Sequence, residues 1–196
     1  MLFPSDRLIN VPIMGLQTGS ELARTKSALI DPSNLKILAY ELSGHRLEQQ
    51  PSLLLTEDIR EISDLGIIID SSDEFISVDD VIKIQEVYAL HFSLFDKVVK
   101  DENNNKLGKV IDYSMEPNSF IVKQLIVKRP LLKSFSDTQL IIDRTQIIEV
   151  NDTTIIIKHD EREPVPAQRA TKAFANPFRG TSPQSEAATL RAPKQS

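Results

Sequence analysis

The sequence predicts an all-β protein: two tandem copies of a small barrel-like unit, followed by a disordered C-terminal tail. Three observations lead there. The apolar residues are rich in Ile, Leu and Val and poor in aromatics, with no Trp among 196 residues, a bias toward strands built on β-branched side chains. Two stretches of the chain match one another without a gap, at offsets of 85 and 88 residues, the signature of an internal repeat. The last part of the chain shifts to Pro, Ala, Ser, Thr and Gln, a composition too poor in apolar side chains to bury a core.

One block of the match sets LLLTEDIREISDLGIIID, from Leu53, over IIDRTQIIEVNDTTIIIK, from Ile141. Ile59 falls on Ile147, Glu61 on Glu149, Ile62 on Val150 and Asp64 on Asp152, and the run Ile67–Ile69 falls on Ile155–Ile157. The other block, from Leu22 over Leu107, sets Asp31-Pro32 on Glu116-Pro117, Leu35 on Phe120, Ile37 on Val122 and Tyr40 on Leu125. Upstream, Pro12-Ile13-Met14 falls on Lys97-Val98-Val99. Both blocks keep the same order at nearly the same offset, which argues duplication over chance matches between Ile-rich strings. The change of offset puts three extra residues between Val127 and Ile141, in a long exposed loop where insertions are tolerated. The chain therefore divides into a first unit over 1–70, a linker over 71–91, a second unit over 92–160 and a tail over 161–196.

The second unit reads most clearly. A first strand over Phe95–Lys100 ends in the polar turn Asp101–Asn105, where Asp and Asn accept left-handed backbone. A second strand runs Lys106–Met115, with Gly108 marking a bulge or a close backbone approach. Glu116-Pro117-Asn118-Ser119 is the next turn, with Pro at its second position, and Phe120–Lys128 is the third strand. After the loop Arg129–Thr138 come a strand near Leu140–Ile142 and the pair Gln146–Val150 and Thr153–Lys158 around Asn151-Asp152. Short strands with turn signals at this spacing argue a small barrel or sandwich. A unit of this size holds a meagre core by itself, so the two are expected to pack on each other and cover their strand edges. In the linker, Ser77-x-x-Asp80 resembles a capping box that would open a helix through Val81, Ile84 and Tyr88, and the alternation of Ile82, Ile84 and Glu86 could instead be a strand; a short helical turn followed by extended chain is the preferred reading.

Lys106-Leu-Gly-Lys-Val-Ile-Asp112, with the closing Asp143–Val150 and Ile155–Ile157, resembles the core of the PRC-barrel family. The first copy is more divergent, with Leu22-Ala23-Arg24-Thr25 for the Leu-Gly-Lys-Val and Ser27 for Asp112. The resemblance spans Leu8 to Lys158. It implies a compact β-barrel of the kind found in the photosynthetic reaction-centre H subunit and in the C-terminal domain of the ribosome maturation factor RimM, where it serves docking and assembly without catalysis. No transmembrane helix like that of the H subunit is present, and the N-terminal half is unlike that of RimM.

The chemistry-bearing residues point the same way. The chain has no cysteine, which removes disulfides, thiolate catalysis and Cys-ligated metal. No phosphate-cradling glycine loop or nucleophile elbow occurs among its six glycines. His45, His91 and His159 are dispersed, without metal-ligand spacing. The acids Asp70, Asp73, Glu74, Asp79 and Asp80 lack the order of a calcium loop and read as a solvated surface. Glu61, Asp64, Glu149 and Asp152 read as turn and strand-end residues rather than an acid/base pair. No enzymatic activity, cofactor or metal is expected, and a cytoplasmic location is, since the N-terminus lacks the pattern of a signal peptide.

Binding residues are expected instead in VKRPLLKSF, where Lys128, Arg129 and Lys133 surround Leu131, Leu132 and Phe135, a cation-rimmed apolar patch suited to a protein partner. The same apolar residues would also serve to cap a barrel end. From Pro164 onward five basic residues stand against one acid, giving the tail +4 and leaving −9 on the rest of a chain with net charge −5. Phe174, Phe178 and Arg179 are its candidate anchors. An adaptor for a protein partner is the leading expectation. The alternative is an RNA- or ribosome-associated factor resembling RimM, using the loop and the tail, because the acidic body should repel phosphate over its general surface.

Overall fold

The computed structural model describes residues 1–45, 47–63, 65–129 and 139–158. These residues form a mostly β architecture with one α-helix. The strands of the first half are β1 (Phe3–Pro4), β2 (Pro12–Gly15), β3 (Ser20–Asp31), β4 (Lys36–Ser43), β5 (Ser52–Leu55), β6 (Glu61–Ser63) and β7 (Gly66–Ile69). A connecting segment adds β8 (Phe75–Ser77) and α1 (Ile82–Ala89). The second half contains β9 (Val98–Asp101), β10 (Lys106–Glu116), β11 (Ile121–Lys128), β12 (Gln139–Asp143), β13 (Ile147–Val150) and β14 (Thr154–Ile157).

The same pairings occur in both halves. In the first, β2–β3, β3–β4, β4–β5 and β6–β7 are antiparallel and β2 runs parallel to β7. In the second, β9–β10, β10–β11, β11–β12 and β13–β14 are antiparallel and β9 runs parallel to β14. Local irregularities coincide too. The β3–β4 ladder slips at Lys26 and between Leu29 and Ile30, and the β10–β11 ladder slips at Ile111 and between Ser114 and Met115. Leu35 and Phe120 close the matching turns at φ 55° and 54°, each donating its N–H to a carbonyl four residues back, at Asp31 and Glu116.

The halves meet where these turns end. Ile37 N–H donates to Phe120 O at 2.8 Å and Val122 N–H donates to Leu35 O at 3.0 Å, making one long sheet with the central order β7-β2-β3-β4-β11-β10-β9-β14. Most of the cohesion lies in the shared core, which gathers Ile13, Ile37, Tyr40, Leu54, Ile67 and Ile69 with Leu94, Val99, Met115, Val122, Leu125, Ile142 and Ile155. Tyr40 donates its hydroxyl to Met115 Sδ across the junction at 3.6 Å, and β1 crosses over to pair with β10.

Two closed barrels are not what the hydrogen bonding forms. The path is open, ending at β6 on one side and β13 on the other. Among the described residues those strands bond only β7 and β14, while the far edge of β5 is taken by β8. Three details of the sequence reading also shift. The first strand of the second half begins at Val98 rather than Phe95, because Asp96 adopts φ 63°. Phe120 belongs to its turn rather than to the following strand. Ile13 corresponds to Val99 rather than Val98, since Ile13 lies beside Ile67 and Val99 beside Ile155. In the linker, Ser77 and Asp80 form a capping box on a 3₁₀ turn, Val78–Asp80, and past Val81 the chain is helical as α1 rather than extended.

Gly108 stands where a side chain would not fit. Its φ is 158°, and an added Cβ would lie 2.2 Å from Lys128 O and 2.7 Å from a Val127 methyl. Both the bulge and the close approach expected there are present.

Candidate functional site

The β11–β12 edge of the second half is the candidate site. Its character is clearest beside the equivalent end of the first half. There β5 is inside the sheet, bonded to β4 on one side and β8 on the other, and α1 lies over it through a cluster of Ala39, Leu53 and Ile84. Leu53 is completely buried. β12 bonds β11 through five register pairs, from Gln124–Asp143 to Lys128–Gln139, and no other strand among the described residues pairs with it. Ile141, which stands where Leu53 does, is 42% exposed.

Side chains explain the difference. The first half presents Leu29, Leu38, Ala39 and Leu55 to the helix; the second half has Ser114, Lys123, Gln124 and Asp143 at those positions. A polar outer face gives a covering helix nothing apolar to bury against. Among the described residues no strand pairs with β12's outer edge, the kind of edge to which a further strand can be added.

Lys128 ends β11 in an exposed position and Arg129 follows it, half-buried. Leu131, Leu132, Lys133 and Phe135 lie outside the described residues, as do the tail anchors Phe174, Phe178 and Arg179. The expectation of a disordered tail falls outside them as well.

Cross-strand register brings together cations that the sequence scatters. Lys106 lies opposite Lys100 and Lys109 opposite Lys128. Sequence reading missed this group because no two of these lysines are adjacent. Counting the register from the Gly108 bulge would have found it.

A groove of about 860 Å³ opens at the junction of the halves. Its floor is made by the two bulged segments, Lys26–Ile30 and Ile111–Tyr113, and its walls by Tyr88, Phe92 and Phe95. Phe95 packs on Tyr113 at 5.7 Å between ring centroids. Burial pushes the Tyr113 hydroxyl up to about 12, and the charge of Asp112 adds to the effect. At the rim, Lys26 pairs with Glu41 at 2.6 Å and Ser5 donates to Asp112. His91 meets the edge of Tyr88, and among the described residues no hydrogen bond links it to a serine or a carboxylate.

The remaining candidates have local partners. Asp70 pairs with Arg60, Asp80 accepts from the N–H of Ser77, Asp79 accepts from Gln85, and Glu74 accepts from the N–H of Asp70. Glu61 and Glu149 are exposed strand residues, Asp152 sits in the β13–β14 turn, and Asp64 lies outside the described residues. His45 is exposed in a turn, and His159 lies outside them too. Among the described residues no group of three or more His, Asp or Glu is placed to hold a metal ion, and no helix is long and apolar enough to cross a membrane. One buried cation stands out: Lys97 Nζ donates to Asn151 O and Asp152 O and sits 4.4 Å from the Phe92 ring centroid. It ties the start of β9 to the β13–β14 turn, and burial lowers its pKa.

No known protein family matches the chain, and no curated protein matches it either.

Proposed function

We propose that the chain is a non-catalytic binding and assembly module that docks a protein partner at the β12 end of its second half. The observation that carries this reading is the contrast between two equivalent edges, one covered by β8 and α1 and the other bonded on one side only among the described residues. An extended partner segment added to β12 would draw affinity from main-chain hydrogen bonds and specificity from alternate side chains. Lys128 and Arg129 flank that edge, and the loop residues Leu131, Leu132, Lys133 and Phe135 would supply the apolar and charged anchors. The tail, with Phe174, Phe178 and Arg179, would be accessory.

The reading treats the chain as a duplicated unit of PRC-barrel type working in the cytoplasm, in which the first copy is the structural partner and the second carries the docking surface. The matching pairings, bulges and turns of the two halves support the duplication. The Lys106–Asp112 motif supports the family likeness, and that family's role in assembly supports the adaptor role.

Position-specific photo-crosslinking tests it. A photoreactive residue at Ile141 is expected to trap a discrete protein from native lysate that the same residue at Ile82, 74% exposed on α1, does not. Charge reversal at Lys128, Arg129 and Lys133 should weaken that capture and leave the Tm unchanged. Identical adducts from both positions, or none from Ile141, would remove the edge as the docking site.

A further inference from the structure

The outward face of the second half carries cations whose counterparts in the first half are ion-paired or neutral. Lys106 faces Lys100 across the β9–β10 ladder, Lys109 faces Lys128 across the β10–β11 ladder, and Arg129 follows Lys128. Lys106, Lys109 and Lys128 are exposed, and Lys100 and Arg129 are partly so. Among the described residues none of these five makes an ion pair, and Lys100 donates only to the Asn104 side-chain oxygen at 2.8 Å. In the first half, Glu21 and Arg24 occupy the places of Lys106 and Lys109 and pair at 2.8 Å. Ser43 and Gly44 stand in the places of Lys128 and Arg129.

Like charges set directly across a ladder destabilise it. Here two such pairs lie side by side on a chain whose net charge is −5. The nearest acid in β9, Asp101, is buried and receives the backbone and side-chain N–H groups of Asn105, so it does not screen the outward face. The nearest exposed acids are Glu102, in the turn between β9 and β10, and Glu149, which shares the Lys100 row through Ile156; five cations against these two, in an otherwise acidic protein, mark a surface that an anion completes.

We propose that this face binds the phosphodiester backbone of a single nucleic-acid strand. Paired residues on the ladders are roughly 4.5–5.5 Å apart, and Lys106 and Lys109 are three residues apart along β10, roughly 7–10 Å at strand rise. The cations thus form a row across three strands that an extended chain of phosphates can follow. Four of the five are lysines, compact point charges suited to phosphate oxygens rather than to the forked pairing Arg makes with carboxylates. No aromatic side chain stands among these strand positions, so base stacking contributes nothing. Binding is therefore weak, indifferent to sequence and steeply dependent on salt. The site is distinct from the β12 edge, although Lys128 and Arg129 border both.

The test is fluorescence anisotropy of the full chain with a labelled oligouridylate, the matching oligothymidylate and a poly-glutamate peptide of equal charge, each in salt from 50 to 200 mM. Both oligonucleotides are expected to bind, with a log–log salt slope of about −3, as four or five phosphates contacted at about −0.7 each require; a difference between them would show which sugar is preferred. The double variant Lys106→Glu/Lys109→Glu, which installs first-half chemistry at the former position, should weaken binding at least tenfold with Tm unchanged or raised. Changing Arg169, Lys172, Arg179, Arg191 and Lys194 to Gln should leave binding within about twofold, because the proposal places the phosphate contacts on the sheet face. The proposal fails if neither oligonucleotide binds, if the double variant binds as well as the parent, or if only the tail variant loses binding. Poly-glutamate bound as tightly, and lost equally in the double variant, would assign the face to an acidic protein instead.

Discussion

The two halves share pairings, bulges and turn geometry, yet they treat the strand after their long loop in opposite ways. β5 is enclosed, and its Leu53 has no contact with solvent. Among the described residues β12 has β11 as its one strand partner, and its Ile141 is exposed. One architecture thus supports, among the described residues, a sheet covered on both faces and a sheet covered on one, and the two differ in the chemistry of a handful of outward positions. Leu29, Ala39 and Leu55 call for a cover; Ser114, Gln124 and Asp143 do not.

That contrast breaks most visibly at Leu53. Leu53→Ala should cost about 2–5 kcal/mol, as for other buried leucines, whereas Ile141→Ala, at the matching but exposed place, should cost less than about 1 kcal/mol. Denaturant unfolding of the two variants measures the difference, and equal losses would mean that β12 is as enclosed as β5. Next in size is Gly108. Gly108→Ala forces a Cβ against Lys128 O in a backbone region that L-residues avoid, and should cost about 2–3 kcal/mol. Ala23→Gly, the exchange at the corresponding first-half position, should cost only about 1 kcal/mol through chain entropy. Similar Tm shifts from both would show that the close approach is not what fixes glycine there.

The smallest effect concerns pH. Burial would raise the pKa of Asp31, but hydrogen bonds from Ser33 and Lys83 outweigh it and hold the carboxyl below its ordinary value. Glu116, its counterpart, is lowered by Ser119 and Lys123 in a far more exposed setting. A depressed carboxylate contributes stability that is present above its unfolded pKa of about 4 and lost as pH falls through the folded value. Asp31→Asn should therefore flatten the loss of stability between about pH 5 and pH 2, and Glu116→Gln should flatten it less, because exposure screens its partners. A larger change from Glu116→Gln would reverse the ranking.

Much of the fold was legible from residue types. The turn at Asp101–Asn105, the strand Lys106–Met115, the pair around Asn151-Asp152, the capping box at Ser77 and the constraint at Gly108 all follow from local chemistry. Other features depend on what lies across space. Leu8-Ile9-Asn10 and Leu94-Phe95-Asp96 lead into β2 and β9 with a left-handed residue at the matching place, Asn10 at φ 57° and Asp96 at φ 63°, a match at an offset of 86 residues that one identity in a short segment is too little to announce. That α1 would cover β5 and leave β12 bare depends on the outward residues of three strands at once. The row of lysines depends on register, which a bulge shifts by one residue. Barrel closure was expected from strand count and spacing, but those properties do not say which edges meet.

The crossing of β1 onto β10 has a consequence for synthesis. Phe3 and Pro4 pair with Met115 and Ser114, and Ser5 bonds Asp112 across 107 residues of chain. A ribosome adding about 5–20 residues per second makes the second partner on the order of 10 s after the first. Throughout that interval the N-terminal strand has nothing to pair with, so the first half leaves the ribosome with one element undocked. Its completion waits on the arrival of the second, and a nascent chain halted before β10 would carry an unsatisfied strand for chaperones or wrong partners to find.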